Sequence, residues 1–385
     1  MHKKKIQMIV IAALAYLLSA EASYAIFSRV SPQKQVIVQP VPKTTNGSIT
    51  FDDALPKTEE CPMNGQKYSE KQREWWEKHR PLTVMIENHE NSRPQSGLTF
   101  ADIVYEAVAE GGITRFMAVY YCQDANPIGP VRSARTYFID FASEYGESPL
   151  YAHVGGANTP GPADALSQLT TYEWTGYNDL NQFSIGFPTF WRDYDRLGYT
   201  TETEHTMYST TTKLWDFAKK QRGLSNVDKE GESWDKKFIK YLFKDDKASA
   251  VNQTIHLEFW DNYSAYFADW TYDKQSNSYK RSNGGKSHID NNTKKQLTTK
   301  NIVVLFMQES NANDGYEDNL HLLYKTKGTG KAQIYMDGKE IKGTWRKDSR
   351  TGRTLIFDSS GDAIKFNRGK IWFEILPTTG VITVK

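Results

Sequence analysis

The sequence has little cysteine and no excess of charge. Cys61 and Cys122 are the only cysteines among 385 residues, and they have neither zinc-ligand spacing nor a CxxC arrangement. The chain has 48 basic and 46 acidic side chains, and removing the three Lys and one Glu of residues 1–27 leaves 45 against 45. This balance excludes the basic footprint that a nucleic-acid partner requires.

Apolar and aromatic residues, in contrast, are plentiful. Hydrophobic residues make up 38% of the chain and aromatic residues 13%, which is too much for a disordered protein. A length of 385 residues exceeds one ordinary hydrophobic core, so two domains are expected. If the chain is exported, Cys61 and Cys122 can form a disulfide, and the alternative is a pair of buried thiols.

The first 27 residues predict an export signal or a membrane anchor. Three lysines precede an apolar run from Met8 to Ser19. Small residues from Ala20 to Ala25 allow cleavage, whereas apolar character that resumes through Phe27 brings the stretch to about 20 residues, the length of a bilayer span. Both alternatives are open. The lysines place the N-terminus in the cytoplasm and the body outside the membrane, or secreted if the segment is cleaved.

The rest of the chain divides into three segments of different character. Residues 28–60 contain four prolines among polar residues and predict an extended linker. Residues 61–248 mix strand and helix patterns and predict an N-terminal mixed α/β domain. Residues 249–385 contain short aromatic and β-branched runs between turn signals, which predict a mostly antiparallel β C-terminal domain. The predicted fold class is therefore α+β.

Charged residues recur at regular spacing between Arg93 and Arg135. The segment Ile103–Glu110 fits either a strand or a helix. Asp102, Glu106 and Glu110 share one face in both cases, because a spacing of four returns to the same side of either element. The sequence therefore predicts a row of acids.

The Gly111-Gly112 pair predicts a hairpin between this segment and the next strand. With a two-residue turn, Arg115 lies opposite Val108, within diagonal reach of Glu106 and Glu110. The prediction is a charged cluster, and the alternative is a solvated sheet face with weak surface pairs.

Two further arginines follow at a predicted helix start. Pro130 suits a first helical turn, which places Arg132 and Arg135 near the N-terminus of the helix. Cations there oppose the helix dipole, so their presence suggests either pairing with the acid row or binding of a phosphate or carboxylate. Both interpretations are open.

Histidines complete the candidate set. His153 ends a predicted buried strand before Gly155-Gly156 and is either an acid/base group or structural. His288 and Asp290 form an HxD pattern for which a structural hydrogen bond is favoured. The candidate catalytic residues are Glu106, Glu110 and His153. The candidate ligand-binding residues are Arg93, Asp102, Arg115, Arg132, Arg135 and His205. No cofactor or metal is identified.

Several long motifs, in order, carry a family resemblance. Residues 80–135 contain RPLTVMIEN, RPQSGLTFADIVYEAVAEGGITRF and IGPVRSAR, followed by HVGG at 153–156, GGKSHIDNNTKKQLTTKNIVV at 284–304 and GTWRKDSRTGRTLIF at 343–357. Together they resemble the YerB-like family of bacterial envelope lipoproteins, whose two parts are domains of unknown function. The resemblance implies an envelope location. A lipobox cysteine is missing, and the family implies no reaction.

Two functions are compatible with these observations. The first is a membrane-tethered protein that binds an anionic envelope ligand, such as a cell-wall polymer, or an envelope protein at the arginine cluster. The alternative is a metal-assisted hydrolase or phosphotransferase acting on cell-wall polymer precursors, in which arginines stabilise developing charge. A weaker similarity to the LytR-CpsA-Psr phosphotransferases supports the alternative by analogy only.

Overall fold

The computed structural model describes Ile49 and residues 51–385. The predicted anchor at 1–27 and most of the predicted linker at 28–60 lie outside the described residues. Among the helices of the described part, none combines the length and the apolar character that a bilayer span requires.

The described residues form many short strands and a few short helices. The strands are β1 (Glu59–Glu60), β2 (Lys67–Tyr68), β3 (Leu82–Glu87), β4 (Ile103–Glu110), β5 (Ile113–Tyr120), β6 (Leu150–His153), β7 (Asp179–Asn181), β8 (Trp191–Arg192), β9 (Met207–Tyr208), β10 (Leu242–Lys244), β11 (Thr254–Glu258), β12 (Ala268–Asp273), β13 (Ser278–Asn283), β14 (Lys286–Ser287), β15 (Thr298–Thr299), β16 (Asn301–Met307), β17 (Glu309–Asn311), β18 (Leu322–Tyr324), β19 (Gly328–Met336), β20 (Lys339–Lys347), β21 (Leu355–Asp358), β22 (Lys365–Asn367), β23 (Ile371–Pro377) and β24 (Val381–Val384). The α-helices are α1 (Glu70–Trp76), α2 (Thr136–Ala142), α3 (Ala165–Thr171), α4 (Gln182–Ile185) and α5 (Thr211–Phe217). Short 3₁₀ turns occur at Glu90–Ser92, Leu98–Phe100, Thr203–His205, Ser264–Tyr266 and Glu317–Asn319, and a π-helical turn follows α5 at Ala218–Arg222.

A ten-stranded mixed sheet forms the centre, in the order β21-β20-β19-β16-β23-β4-β5-β3-β6-β7. β16, β23 and β4 are parallel neighbours, as are β3, β6 and β7, and β5 lies antiparallel between β4 and β3. The carboxyl ends of all these parallel strands therefore meet at one edge. In open sheets of this kind, ligands bind outside the carboxyl ends of the strands.

Both faces of this sheet are covered. An antiparallel second sheet with the order β14-β13-β12-β11-β24 packs on one face, where the rings of Trp270 and Trp372 lie 5.2 Å apart. Helix α2 packs on the other face, where Phe141 stacks on Tyr105 at 5.0 Å. Burial on both faces explains why β3 is buried along its whole length.

The α+β fold class with a sheet-rich C-terminal region is confirmed. The alternation in LTVMIE predicts a strand, and β3 has the bounds Leu82–Glu87. The polar segment SEKQREWWEKHR predicts a short helix with Ser69 as N-cap, and Ser69 accepts a hydrogen bond from the backbone of Gln72 at the start of α1. The domain boundary at residue 249 stays a prediction, and the ten-stranded sheet takes strands from both sides of it.

The disulfide alternative for the two cysteines is confirmed. Cys61 and Cys122 are bonded across 61 residues of sequence. The bond ties the segment that precedes α1 to the end of β5. Asp102 lies beneath it, with a carboxylate oxygen 3.7 Å from the sulfur of Cys61.

The predicted helix start at Pro130 is wrong. Helix α2 begins at Thr136, and Val131 instead forms a bridge with Ile86 near the end of β3. The backbone nitrogen of Arg132 donates to the carbonyl of Met85 at 2.9 Å. The segment is therefore extended because its backbone groups pair with the sheet, and Arg132 does not lie on a helix.

The apolar pattern of residues 206–222 predicts a helix with Leu214, Trp215 and Phe217 inward, and this helix also begins later. Met207–Tyr208 is strand β9, which pairs with β8, and α5 starts at Thr211 with Thr210 as its cap. Of the residues predicted to face inward, Leu214 and Trp215 are buried and Phe217 is half-buried. The helical prediction is therefore confirmed from Thr211 to Arg222, including the π-helical turn, and wrong for residues 206–210.

Candidate functional site

A β-bulge in β4 decides which charged side chains meet. The Gly111-Gly112 hairpin is confirmed, but the register shifts between Val108 and Glu110, so Arg115 lies opposite Ala107 and not Val108. The extra residue turns Glu110 to the face opposite to that of Glu106. The predicted acid row on one face is therefore wrong.

Three arginines, two glutamates and a histidine gather on the α2 face at the carboxyl edge of the sheet. We call this set the edge cluster, and its members are Glu87, Glu110, Arg115, Arg132, Arg135 and His205. Arg115 lies 3.5 Å from Glu110, and Arg135 forms an ion pair with the same carboxylate. The predicted contact between Arg135 and the acids is confirmed.

Glu87 organises the other half of the edge cluster. Its carboxylate lies 3.1 Å from the Nε of Arg132 and 2.9 Å from the Nδ1 of His205. The predicted pairing of Arg132 with Glu106 or Glu110 is therefore wrong, and the alternative, an anion bound in common by Arg132 and Arg135, stays a prediction. Glu87 lies directly opposite Arg115 in the pairing of β3 with β5, which joins the two halves into one cluster.

Local backbone pairing explains how residues far apart in sequence meet here. Glu87 is the last residue of β3, and the bridge of Val131 to that strand brings Arg132 beside it. The backbone nitrogen of Val131 also donates to the carbonyl of Met207 in β9 at 2.7 Å. His205 lies in the turn that leads into β9, so the same contacts position it against Glu87.

Opposite charges nearly balance in and around the edge cluster. Three arginines face the carboxylates of Glu87 and Glu110, and the hydrogen bond to Glu87 raises the pKa of His205, which favours its protonated form. Glu202 lies 3.6 Å from His205. The side chains of Arg132 and Glu110 are 29% and 27% exposed, so solvent reaches the cluster. Guanidinium groups are two-pronged donors that suit a phosphate or a carboxylate.

Some donors in the edge cluster lack acceptors. Arg115 and Arg135 are almost fully buried, and burial lowers the pKa of both. Within the described part of the chain, their Nε atoms have no hydrogen-bond partner. Unpaired buried donors cost free energy, so an acceptor supplied by a ligand would stabilise this arrangement.

Glu106 points away from the edge cluster into a buried polar network between the two sheets. It is fully buried, forms an ion pair with Arg281 and accepts a hydrogen bond from Thr114 at 2.7 Å. His288 lies 2.7 Å from both Arg281 and Gln95, which confirms the structural interpretation of the HxD pattern. The geometry gives Glu106 no access to solvent.

Arg93 belongs to the same side of the sheet. Its guanidinium donates to the carbonyls of Asn88 at 2.9 Å and Ala265 at 2.8 Å, and it lies 5.1 Å from the centre of the Tyr266 ring. These contacts tie the loop after β3 to the second sheet. The ligand-binding role of Arg93 stays a prediction.

Asp102 lies in the core beneath the disulfide. It accepts hydrogen bonds from the side chain of Asn64 at 2.8 Å and from the backbones of Tyr121 and Cys122 at 2.8 and 2.9 Å. Burial raises its pKa to about 7 against these hydrogen bonds. The structure does not bring Asp102 to the edge cluster.

His153 ends β6, as predicted, and both ring nitrogens have partners. Nε2 lies 2.6 Å from Asp179, and Nδ1 lies 2.6 Å from the carbonyl of Gly155. The ring is fully buried. Its contacts hold the Gly155 loop, and its catalytic role stays a prediction.

The turn beside the edge cluster offers a set of metal-ligand atoms. Glu202, Glu204 and His205 place one potential ligand atom each within 4.8 Å of one another. Glu87 holds the Nδ1 of His205, which is how a carboxylate orients a metal-binding histidine. Cys61, Asp102 and Cys122 lie equally close, but both sulfurs are in the disulfide.

Sequence reasoning missed Glu87 and Arg281. Glu87 is the last residue of β3. A polar residue at the carboxyl end of a strand is typical of a binding site in such sheets, and this position could have identified it. Arg281 lies 175 residues from Glu106 in sequence, so no local pattern connects them.

Comparisons with known proteins agree with the motif resemblance. Residues 65–225 match the N-terminal domain and residues 255–373 the C-terminal domain of a protein family of unknown function, DUF3048. A Bacillus subtilis (strain 168) protein named "Putative lipoprotein YerB" is 30% identical over 331 residues, which cover 84% of this chain and 89% of that protein. The crystal structure of the YerB protein from Bacillus subtilis matches with a TM-score of 0.68 and 25% identity, covering 85% of this chain and 100% of that chain. The chain therefore belongs to the YerB-like family and is an envelope-associated protein whose two domains are of unknown function.

Proposed function

We propose that this chain is an extracytoplasmic binding protein whose edge cluster holds an anionic group of an envelope ligand or partner protein. The observation that carries the proposal is the pair of buried arginines, Arg115 and Arg135, whose Nε atoms lack acceptors in the described part of the chain. Arg132, which is partly exposed, is the group that a ligand meets first. A phosphate or carboxylate would accept two-pronged hydrogen bonds from these guanidinium groups.

The disulfide supports an extracytoplasmic body. Disulfides persist in oxidising compartments and are rare in the cytosol. The bond between Cys61 and Cys122 therefore agrees with an N-terminal segment that tethers the body to the outer side of a membrane, or is cleaved to release it.

Removing the Arg132 guanidinium is expected to weaken anion binding by roughly 10- to 100-fold, since a hydrogen bond to a charged group contributes about 1.5–3 kcal/mol. Inorganic pyrophosphate is the probe, and isothermal titration calorimetry of Arg132→Ala against the wild type gives the affinities. Arg73→Ala is the matched control, because Arg73 is also partly exposed and paired with glutamates. Equal affinities in all three proteins, or no binding to the wild type, would overturn the proposal.

The second candidate is a metal-assisted hydrolase or phosphotransferase acting on cell-wall polymer precursors. It is favoured by the ligand atoms of Glu202, Glu204 and His205 next to the arginines. A metal there would polarise a phosphoryl oxygen that the arginines hold. Turnover of a labelled pyrophosphate-linked precursor in the presence of Mg²⁺ or Mn²⁺, abolished in Glu202→Gln/Glu204→Gln, would favour this function. Binding without turnover supports the first.

A further inference from the structure

A positively charged feature lies at the other end of the large sheet. A groove of about 740 Å³ opens along β16, β19 and β20. We call it the basic groove, and it is lined by Phe306, Gln308, Lys325, Thr329, Gly330, Lys331, Ala332, Gln333, Lys342, Gly343, Trp345 and Thr378. The volume is in the range of sites that bind small molecules or segments of a polymer.

The floor of the basic groove is part of the sheet. Gly330 lies opposite Trp345 in the pairing of β19 with β20, and a Cβ at Gly330 would lie 2.4 Å from the indole nitrogen. That nitrogen donates to the carbonyl of Phe306 at 3.1 Å. A Cβ at Gly343 would lie 1.9 Å from the carbonyl of Phe357. The fold therefore requires glycine at these two positions. Strands, rather than a loop, shape this part of the groove.

The charge of the groove is entirely positive. Lys325, Lys331 and Lys342 are exposed, and the lining contains no acidic residue. In the described part of the chain none of the three has a carboxylate within ion-pair distance, whereas the nearby Lys327 and Lys347 pair with Asp140 and Glu144. The uncompensated charge is therefore local to the groove.

Two of the three lysines lie on adjacent strands, and Lys325 lies in the segment between β18 and β19. Lys331 and Gln333 are two residues apart on β19 and so share one face. Lys342 lies directly opposite Gln333 on β20. Amide and hydroxyl groups of Gln308, Gln333 and Thr329 lie among the ammonium groups and can donate to oxygen atoms. The result is a strip of donors along adjacent strands.

We propose that the basic groove binds a linear polymer with repeated phosphate groups. An ammonium on a flexible stem is a compact charge that adapts to successive phosphates, whereas arginine favours a single planar contact. The concave shape favours an extended strand over the flat surface of a membrane. This site is separate from the edge cluster, because β23 lies between β16 and β4, the nearest strand that carries a member of the edge cluster.

The test is binding of fluorescently labelled polyphosphate of defined length to the full chain. The variant Lys325→Gln/Lys331→Gln/Lys342→Gln is expected to bind at least about 10-fold more weakly. The slope of log Kd against log salt should fall by about 2, since each phosphate contact releases roughly 0.7 counterion on a single strand. Lys240→Gln/Lys274→Gln/Lys365→Gln removes the same charge from exposed lysines elsewhere and should change the affinity less than twofold.

Three outcomes separate the alternatives. Equal weakening in the control variant would show general charge attraction and overturn the proposal. Loss of binding to phosphatidylglycerol vesicles without loss of polyphosphate binding would assign the groove to a membrane surface and also overturn it. Retained polyphosphate binding in Arg132→Ala, together with retained pyrophosphate binding in the lysine variant, would support two separate sites.

Discussion

Replacing Arg281 by methionine is expected to lower the free energy of unfolding by about 3–5 kcal/mol, the cost of breaking a buried ion pair by removing one partner. Arg281 is fully buried and forms an ion pair with Glu106. Glu374 is also fully buried, and burial, followed by the charge of Glu106, raises its pKa well above its usual value. The raised pKa keeps Glu374 uncharged at neutral pH, so the group that loses its ion-pair partner without Arg281 is the buried carboxylate of Glu106.

Urea denaturation at neutral pH measures the loss. Lys280→Met is the matched control, since Lys280 is the adjacent residue, is 47% exposed and pairs with Asp273 at 2.8 Å, so its loss should cost less than about 1 kcal/mol. The double variant Glu106→Leu/Arg281→Met should recover much of the stability, because apolar replacement of a whole buried pair is often nearly neutral. A single variant no less stable than the control would contradict the expected result.

The two sheets explain why this pair is so sheltered. The Arg281 guanidinium lies 5.0 Å from the centre of the Trp372 ring and 5.5 Å from that of Trp270. The indole nitrogen of Trp270 donates to Glu374 at 2.7 Å. Aromatic rings from both sheets thus enclose the charged groups. We therefore expect the ion pair to fix the orientation of the second sheet on the large sheet, as well as to stabilise the fold.

Local patterns predicted two of the elements that carry the edge cluster, β3 and the turn that joins β4 to β5. Alternating apolar residues predicted β3, and the paired glycines predicted the turn between β4 and β5. The bulge before Glu110 has no sequence signature of this kind, because it depends on how β5 accommodates the extra residue. Because this extra residue could not be predicted, the sequence did not show that Glu106 and Glu110 lie on opposite faces of the sheet.

Long-range pairing accounts for most of what could not be predicted. Arg132 was expected on a helix, but the carbonyl of Met85 holds its backbone, and this contact exists only after β3 has joined the sheet. Glu87 meets His205 across 118 residues of sequence. The prediction that charged side chains form a cluster was therefore correct, whereas the residues that pair within it depended on the strand topology.

A second buried ion network joins the two halves of the chain on the α2 side. Glu144 is fully buried, lies 2.9 Å from Lys347 and 3.0 Å from Arg353, and accepts a hydrogen bond from the hydroxyl of Tyr105 at 2.7 Å. Burial alone would raise the pKa of Glu144, but the charges of Lys347 and Arg353 outweigh it and lower the pKa below 4.5. The carboxylate is therefore the shared ion-pair partner of two buried cations.

Glu144→Gln is expected to lower the free energy of unfolding by about 3–5 kcal/mol at neutral pH, because it leaves Lys347 and Arg353 buried without a counter-charge. The ionised Glu144 contributes its full stability above pH 4.5, the ordinary pKa that it regains on unfolding, and loses it as the pH falls through its lowered folded pKa. The difference between wild type and variant should therefore shrink on acidification below pH 4.5. Urea denaturation across this range measures it, and Glu147→Gln, whose side chain is 44% exposed and paired with Lys237, serves as control with a small effect. A difference that stays constant with pH would show that Glu144 acts by packing and not by its charge.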